Sequence, residues 1–105
     1  HEAIAAAKGG IEAMVRAAAA SYASRGLRIN AIAPSLTDTP LSQAIVSSEQ
    51  ALEISKRMHP TGAIGEASDV ASLAAWLHSD QAKFVTGQTF VIDGGISKIV
   101  PKPKA

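Results

Sequence analysis

Few side chains in this sequence can do chemistry, and three groups of them stand out. Lys8 sits in the run Ala-Ala-Ala-Lys-Gly-Gly-Ile-Glu (5–12), on the same helical stripe as Ile4, Ile11, Val15, Ala18 and Tyr22. Composition alone reads it as a solvated helix lysine, but its apolar neighbours argue for a fixed role, because charges ordinarily keep to the wet face. The second group is the hydroxyl-rich loop Pro34-Ser35-Leu36-Thr37-Asp38-Thr39, which follows a short apolar run. Loops at the carboxyl ends of strands are where open α/β sheets bind ligands. The plainer alternative is a strand-to-helix turn with capping hydroxyls. The third group, Asp93-Gly94-Gly95, has the look of an acid beside a phosphate loop. No helix begins after it, so it reads as a structural turn. His59 and His78 have no second ligand at metal spacing and are expected at the surface, and no cysteine is present to build a thiolate site.

The elements that position these groups follow from periodicity. Residues 3–24 read as one long helix, supported by alanine and weakened at Gly9-Gly10, where two glycines cost about 1 kcal/mol each relative to alanine. Their retention suggests close approach by another backbone. Ile4 is expected as a core contact, and Gly26 as a left-handed cap. Leu27 to Ala33 reads as a strand buried on both faces and stopped by Pro34. Leu41 to Met58 holds one or two short helices, with Ser48 a candidate cap and Ile45 and Leu52 inward. His59 to Gly62 is a break. A further helix runs from Ser68 or Glu66 to about His78, with an apolar stripe of Val70, Leu73, Ala74 and Leu77. A second strand spans Thr86 to Asp93. Strand, helices and strand in that order make a βαβ unit with parallel neighbours. A two-stranded parallel sheet leaves both edges open, so the chain reads as half of something larger.

Composition sets the outer limits. The 105 residues include 47% apolar and 18% charged side chains, a balance that fits one modest folded domain. With 21 alanines and four aromatics, any core is built from small side chains and its stability margin is thin. Net charge is +1; without Lys98, Lys102 and Lys104 the rest carries seven basic against nine acidic groups. That is no nucleic-acid-binding surface. No stretch is long enough to span a membrane and no signal sequence is visible, so the expected location is cytoplasmic.

Four collinear stretches resemble the short-chain dehydrogenase/reductase family. They are residues 5–12; Arg-Ile-Asn-Ala-Ile-Ala-Pro-Ser-Leu-Thr-Asp-Thr-Pro (28–40); Pro-Thr-Gly-Ala-Ile-Gly-Glu-Ala-Ser-Asp-Val-Ala (60–71); and Phe-Val-Thr-Gly-Gln-Thr-Phe-Val-Ile-Asp-Gly-Gly (84–95). The resemblance implies an α/β fold, a Rossmann-like doubly wound parallel sheet, of which this is the C-terminal part: long helix, strand, helices, strand. Residues 1–95 are then the C-terminal segment of that domain, and 96–105 a basic, proline-containing tail. The family's glycine-rich phosphate turn and catalytic serine would lie upstream of His1.

The implied activity is that of an oxidoreductase acting on a small-molecule carbonyl or alcohol with NAD or NADP. In the family, a tyrosine four positions before a lysine is the general acid/base. That spacing puts both on one helix face, so the ammonium lowers the phenol pKa and bonds the nicotinamide ribose. Lys8 matches the lysine, but Ile4 occupies the tyrosine position and has no ionisable proton. Tyr22 stands roughly 21 Å further along the helix, and His1 about 10 Å from Lys8 at a frayed end. The implied cofactor-binding residues are Lys8, Pro34, Ser35, Leu36 and Thr39. The Leu36 backbone would meet the nicotinamide carboxamide, and the Thr39 hydroxyl the carboxamide or a phosphate. Ser35 replaces a glycine of the family pattern. A lysine without its tyrosine keeps a second reading open: a catalytically inactive relative that binds cofactor or joins subunits. A third is a free-standing α/β interaction domain. For the 105 residues alone, cofactor binding is expected to be weak or absent and turnover absent. Expected partners are the small-molecule substrate and a second copy, in a homo-oligomer through the first helix or an open strand edge; neither nucleic acid nor membrane is among them.

Overall fold

The computed structural model describes residues 1–103; Lys104 and Ala105, the end of the expected basic tail, lie outside the described residues. Alanine sets the first element, helix α1 (Glu2–Tyr22). Its last turn tightens into a 3-10 turn, Ala23–Arg25, and Gly26 closes it at φ 78°, in the left-handed region a glycine tolerates. The remaining elements are β1 (Ala31–Pro34), β2 (Thr37–Asp38), α2 (Gln43–Val46), α3 (Glu49–Met58), β3 (Gly65–Glu66), α4 (Ala67–His78) and β4 (Thr89–Ile92). β1 pairs with β4, and β2 with β3. Ala31 N–H donates to Gln88 O at 2.8 Å and Ser35 N–H to Ile92 O at 3.3 Å; partners that rise together along both strands make this pairing parallel.

The chain forms two compact units, His1–Ile32 with Leu73–Phe90, and Ala33–Ser72 with Val91–Ala105. In the first, Val15 and Ala19 of α1 and Ala82 are buried. A Cβ built on Gly87 would meet the Ala19 Cβ at 3.5 Å, so small residues let this turn approach the helix. The Arg28 guanidinium donates to the carbonyls of Val85 and Ser79, both at 3.3 Å. Asn30 donates to Val85 O and accepts from Gln88 N–H, while the Thr86 hydroxyl accepts from Ile29 N–H. These side chains and a single backbone bond, Gly87 N–H to Ile29 O at 2.8 Å, join residues 28–30 to the 79–88 segment, and the strand expected from Leu27 begins only at Ala31. It also keeps residues 31–33 half-buried and leaves Pro34 exposed, rather than burying both faces. A strand is buried on both faces only where helices cover both sides of the sheet.

In the second unit, β2 and β3 form a short parallel ladder, Thr37 opposite Gly65 and Asp38 opposite Glu66. The loop expected at 35–40 thus contains a strand. A Cβ on Gly65 would lie 3.1 Å from Thr37 Oγ1, tighter than an ordinary contact, so glycine eases this approach. Ser48 caps α3 as expected, its Oγ accepting from Ala51 N–H at 3.3 Å. Leu52 is half-buried, but Ile45 is exposed and Val46 takes the inward place. The 3-10 turn Pro40–Ser42 advances about 120° per residue instead of 100°, which rotates the side chains that follow. Helix α4 starts where the Asp69 carboxylate accepts from Glu66 N–H at 2.8 Å. Val70, Leu73, Ala74 and Leu77 are its four half-buried residues, the stripe expected from the sequence.

Candidate functional site

Strand β1 delivers the hydroxyl-rich loop. Pro34, lacking an N–H, ends the strand, and Ser35 N–H makes the last bond to β4. Ser35 O accepts from the Thr37 hydroxyl at 2.9 Å, and Leu36 O accepts from Gly65 N–H at 2.9 Å. Leu36 is half-buried, and among the described residues its own N–H donates to nothing. An unpaired amide at a strand's carboxyl end offers a fixed donor to a ligand acceptor. Thr39 is committed differently: it heads the turn 40–42, its N–H donating to Ser42 Oγ at 3.0 Å and its hydroxyl 3.5 Å from the same oxygen. Ser42 Oγ in turn donates to Thr37 O at 2.6 Å. Capping hydroxyls and a free donor therefore coexist in one loop.

Asp93 closes a tight turn. Its carboxylate accepts from Gly95 N–H at 2.9 Å, Ser97 N–H at 3.1 Å and the Ser97 hydroxyl. Those donors, the hydroxyl foremost, hold its carboxyl below the usual 3.8. Gly94 and Gly95 take φ of 60° and 92°, values that an L side chain resists. The structural-turn reading of Asp93-Gly94-Gly95 holds.

His59 departs from expectation. It is only 5% exposed, not a surface residue. Its Nδ1 lies 2.7 Å from Ser55 O, and its Nε2 lies 2.9 Å from Ser35 Oγ. Both ring nitrogens find partners inside the protein, which is what makes burial affordable. No local pattern announces this, because Ser35 is 24 residues away; the one hint is an imidazole held extended before Pro60. Ser35, Thr37, His59, Thr61, Asp69 and Asp93 supply the polar wall of a cleft of about 370 Å³. Its lining, among the described residues, includes no lysine or arginine, so it suits a neutral hydrogen-bonding group better than a phosphate.

Lys8 belongs to the first unit and the loop 34–39 to the second. Lys8 is exposed on α1, and Ile4, one turn before it, is 62% exposed rather than a core contact. Ile11 is exposed as well, so only the second half of the expected stripe, Val15 with Ala18 and its neighbour Ala19, meets other residues. Around Gly9 and Gly10 no described atom lies within 4 Å of a built Cβ, so the close backbone approach expected there is not found. Among the described residues no three His, Asp or Glu side chains gather closely enough to hold a metal ion, and no helix is long and apolar enough to cross a membrane.

Residues 1–97 match the family model described as enoyl-(acyl carrier protein) reductase. Among curated relatives, the chain is 43% identical over 93 residues to 3beta-hydroxysteroid dehydrogenase 1 of Eggerthella lenta, covering 89% of this chain and 36% of the relative. Among solved structures, it is similar to a 4-hydroxyisoleucine dehydrogenase complexed with NADH, at TM-score 0.83 and 30% identity, covering 88% of this chain and 38% of that one. A gluconate 5-dehydrogenase from Burkholderia cenocepacia, in complex with NADP and tartrate, matches at TM-score 0.83 and 30% identity, with 91% and 38% covered. The chain thus spans a little over a third of the length of these proteins. With the strand-end loop, the parallel β1–β4 pair and a family match over nearly its whole length, the chain belongs to the short-chain dehydrogenase/reductase family.

Proposed function

We propose that this chain is the C-terminal, nicotinamide-facing portion of an NAD(P)-dependent oxidoreductase that interconverts a small-molecule carbonyl and an alcohol. The observation that carries this reading is the Leu36 amide, which donates to nothing among the described residues and sits beside a Leu36 carbonyl that accepts from Gly65 N–H. That donor fits the carboxamide oxygen of a nicotinamide, and the absence of cations around the neighbouring cleft fits a neutral ring better than a pyrophosphate. When bound, the dinucleotide supplies or accepts the hydride. The chain's own residues bind and orient: Leu36 N–H donates to the carboxamide, Pro34 and Ser35 shape the turn, and Thr39 fixes the loop's far end through its cap on Ser42. Lys8, on α1 of the first unit, is assigned to a ribose hydroxyl by the family resemblance alone. Dehydrogenases among the relatives, and NADH or NADP in the similar structures, support the assignment. The exposed apolar side chains Ile4, Ile11 and Met14 on α1 support a homo-oligomer through that helix. The cytoplasm is the compartment this reading assigns.

Ile4 favours a second reading, cofactor binding without turnover. A hydrocarbon one turn before Lys8 has no proton to give, and the phenol of the family pattern is missing from this face. The two readings separate in one experiment on the protein at its full natural length. NADH binding is followed by fluorescence titration, and turnover of aldehydes, ketones and alcohols by NADPH absorbance. Binding with turnover establishes the oxidoreductase. Binding alone, with turnover gained in Ile4→Tyr, establishes the inactive relative. No binding refutes both.

A further inference from the structure

We propose that Ser35 and His59 form a positioning latch that ties the strand-end loop to the C-terminal end of α3 and so sets the affinity of the loop for its ligand. The inference rests on the nicotinamide reading of that loop. Chemistry fixes the direction of one bond in the latch, and the tautomer sets the other. A carbonyl oxygen can only accept, so the 2.7 Å contact to Ser55 O requires the proton of the neutral imidazole on Nδ1. In the singly protonated ring Nε2 is then the acceptor, and the Ser35 hydroxyl, 2.9 Å away, donates to it. The ring thus has one donor and one acceptor, and both are used.

Each end of the latch is itself anchored. His59 ends α3, its N–H bonded to Lys56 O at 3.2 Å and its carbonyl accepting from Gly62 N–H at 2.8 Å. Gly94 packs so close that a Cβ there would come within 3.4 Å of the His59 Cδ2. Ser35 holds β4 through its N–H and the Thr37 hydroxyl through its carbonyl. The residue that follows it is Leu36, whose amide is the free donor. A glycine at position 35, as in the family pattern, would leave that turn without the side-chain tie. In this chain, the tie runs instead to a helix terminus, and whatever shifts the end of α3 shifts the Leu36 amide.

The test is a double-mutant cycle on NADH affinity in the protein at its full natural length, with Ser35→Ala, His59→Gln and the pair. Each single substitution is expected to weaken binding roughly 5- to 10-fold, with the double no weaker than the worse single, the pattern of coupled residues. Ser35→Thr, which keeps the hydroxyl, is expected to bind NADH more tightly than Ser35→Ala. Side-chain nitrogen NMR supplies a readout apart from binding: His59 should show a protonated Nδ1 and an unprotonated Nε2. Losses that simply add, affinities equal in all variants, a Ser35→Thr protein no better than Ser35→Ala, or a proton on Nε2 would overturn the latch alone. Failure of the unsubstituted protein to bind NADH would overturn the nicotinamide reading and the latch with it.

Discussion

Gly94→Ala is the substitution that most directly tests the packing around His59, and Gly26→Ala is its control. Both glycines have positive φ, 60° and 78°, and both variants incur the left-handed cost of about 1–2 kcal/mol. Alanine also restricts the unfolded chain, which returns about 0.4–1 kcal/mol in each case. The surroundings differ. At Gly26 a new Cβ meets nothing within 4 Å, whereas at Gly94 it would lie 2.7 Å from Thr61 Oγ1 and 3.4 Å from His59 Cδ2. Thr61 cannot retreat as a whole, because its N–H is bonded to Gly94 O at 3.2 Å. Rotating its β-branched side chain brings either a methyl group or Hβ to the same space, and only the second of these restricted rotamers relieves the contact. Overpacking of this kind costs about 1–3 kcal/mol. The expected losses are therefore about 1 kcal/mol for Gly26→Ala and about 2–4 kcal/mol for Gly94→Ala. Urea unfolding of both variants and the unsubstituted protein, at full natural length, measures them. Equal losses at the two positions would refute the steric argument.

Two further outcomes follow from the same geometry. Gly10→Ala, in a helix interior where a Cβ meets nothing, should stabilise by about 0.5–1 kcal/mol, and a loss of stability on urea unfolding would show that another backbone does press on that face. Asp93, whose carboxyl is held below 3.8 by the Ser97 hydroxyl and the Gly95 amide, contributes stability that is complete above its ordinary pKa and lost as pH falls through the lowered one. Asp93→Asn should therefore flatten the fall of melting temperature with acidification below about pH 4, and an unchanged acid slope would contradict the assignment.

What the sequence revealed depended on how far apart the interacting residues lie. The α4 stripe, the Ser48 cap and the Gly26 terminus all arise within one or two helical turns, where side-chain periodicity and dihedral preference act directly. The loop at the end of β1 could be found because Pro34 punctuates an apolar run. The β2–β3 ladder could not, since two residues carry no alternation and their pairing depends on Gly65 fitting against Thr37. Nor could the shortened β1, where the Arg28, Asn30 and Thr86 side chains join residues 28–30 to a segment far along the chain. In the site, the residue types of Ser35 and Thr39 were visible, but a free Leu36 amide and a buried His59 are consequences of tertiary geometry. Ile4 and Ile11 show the converse: apolar period marks a face, and whether anything covers it is a separate matter.

The Arg28 clamp also spans a long stretch of the chain. Its bond to Val85 O closes a loop of 57 residues, and that to Ser79 O one of 51. The β2–β3 ladder joins residues 37 and 65, about half that separation. Each doubling of loop length adds only about 0.6 kcal/mol of closure entropy, yet that delay falls before any long-range contact can repay it. By closure entropy alone, the helices and the short ladder are cheaper to form than the β1–β4 pair. Until that pair forms, the edges of β1 and β4 stand open to any strand that arrives first.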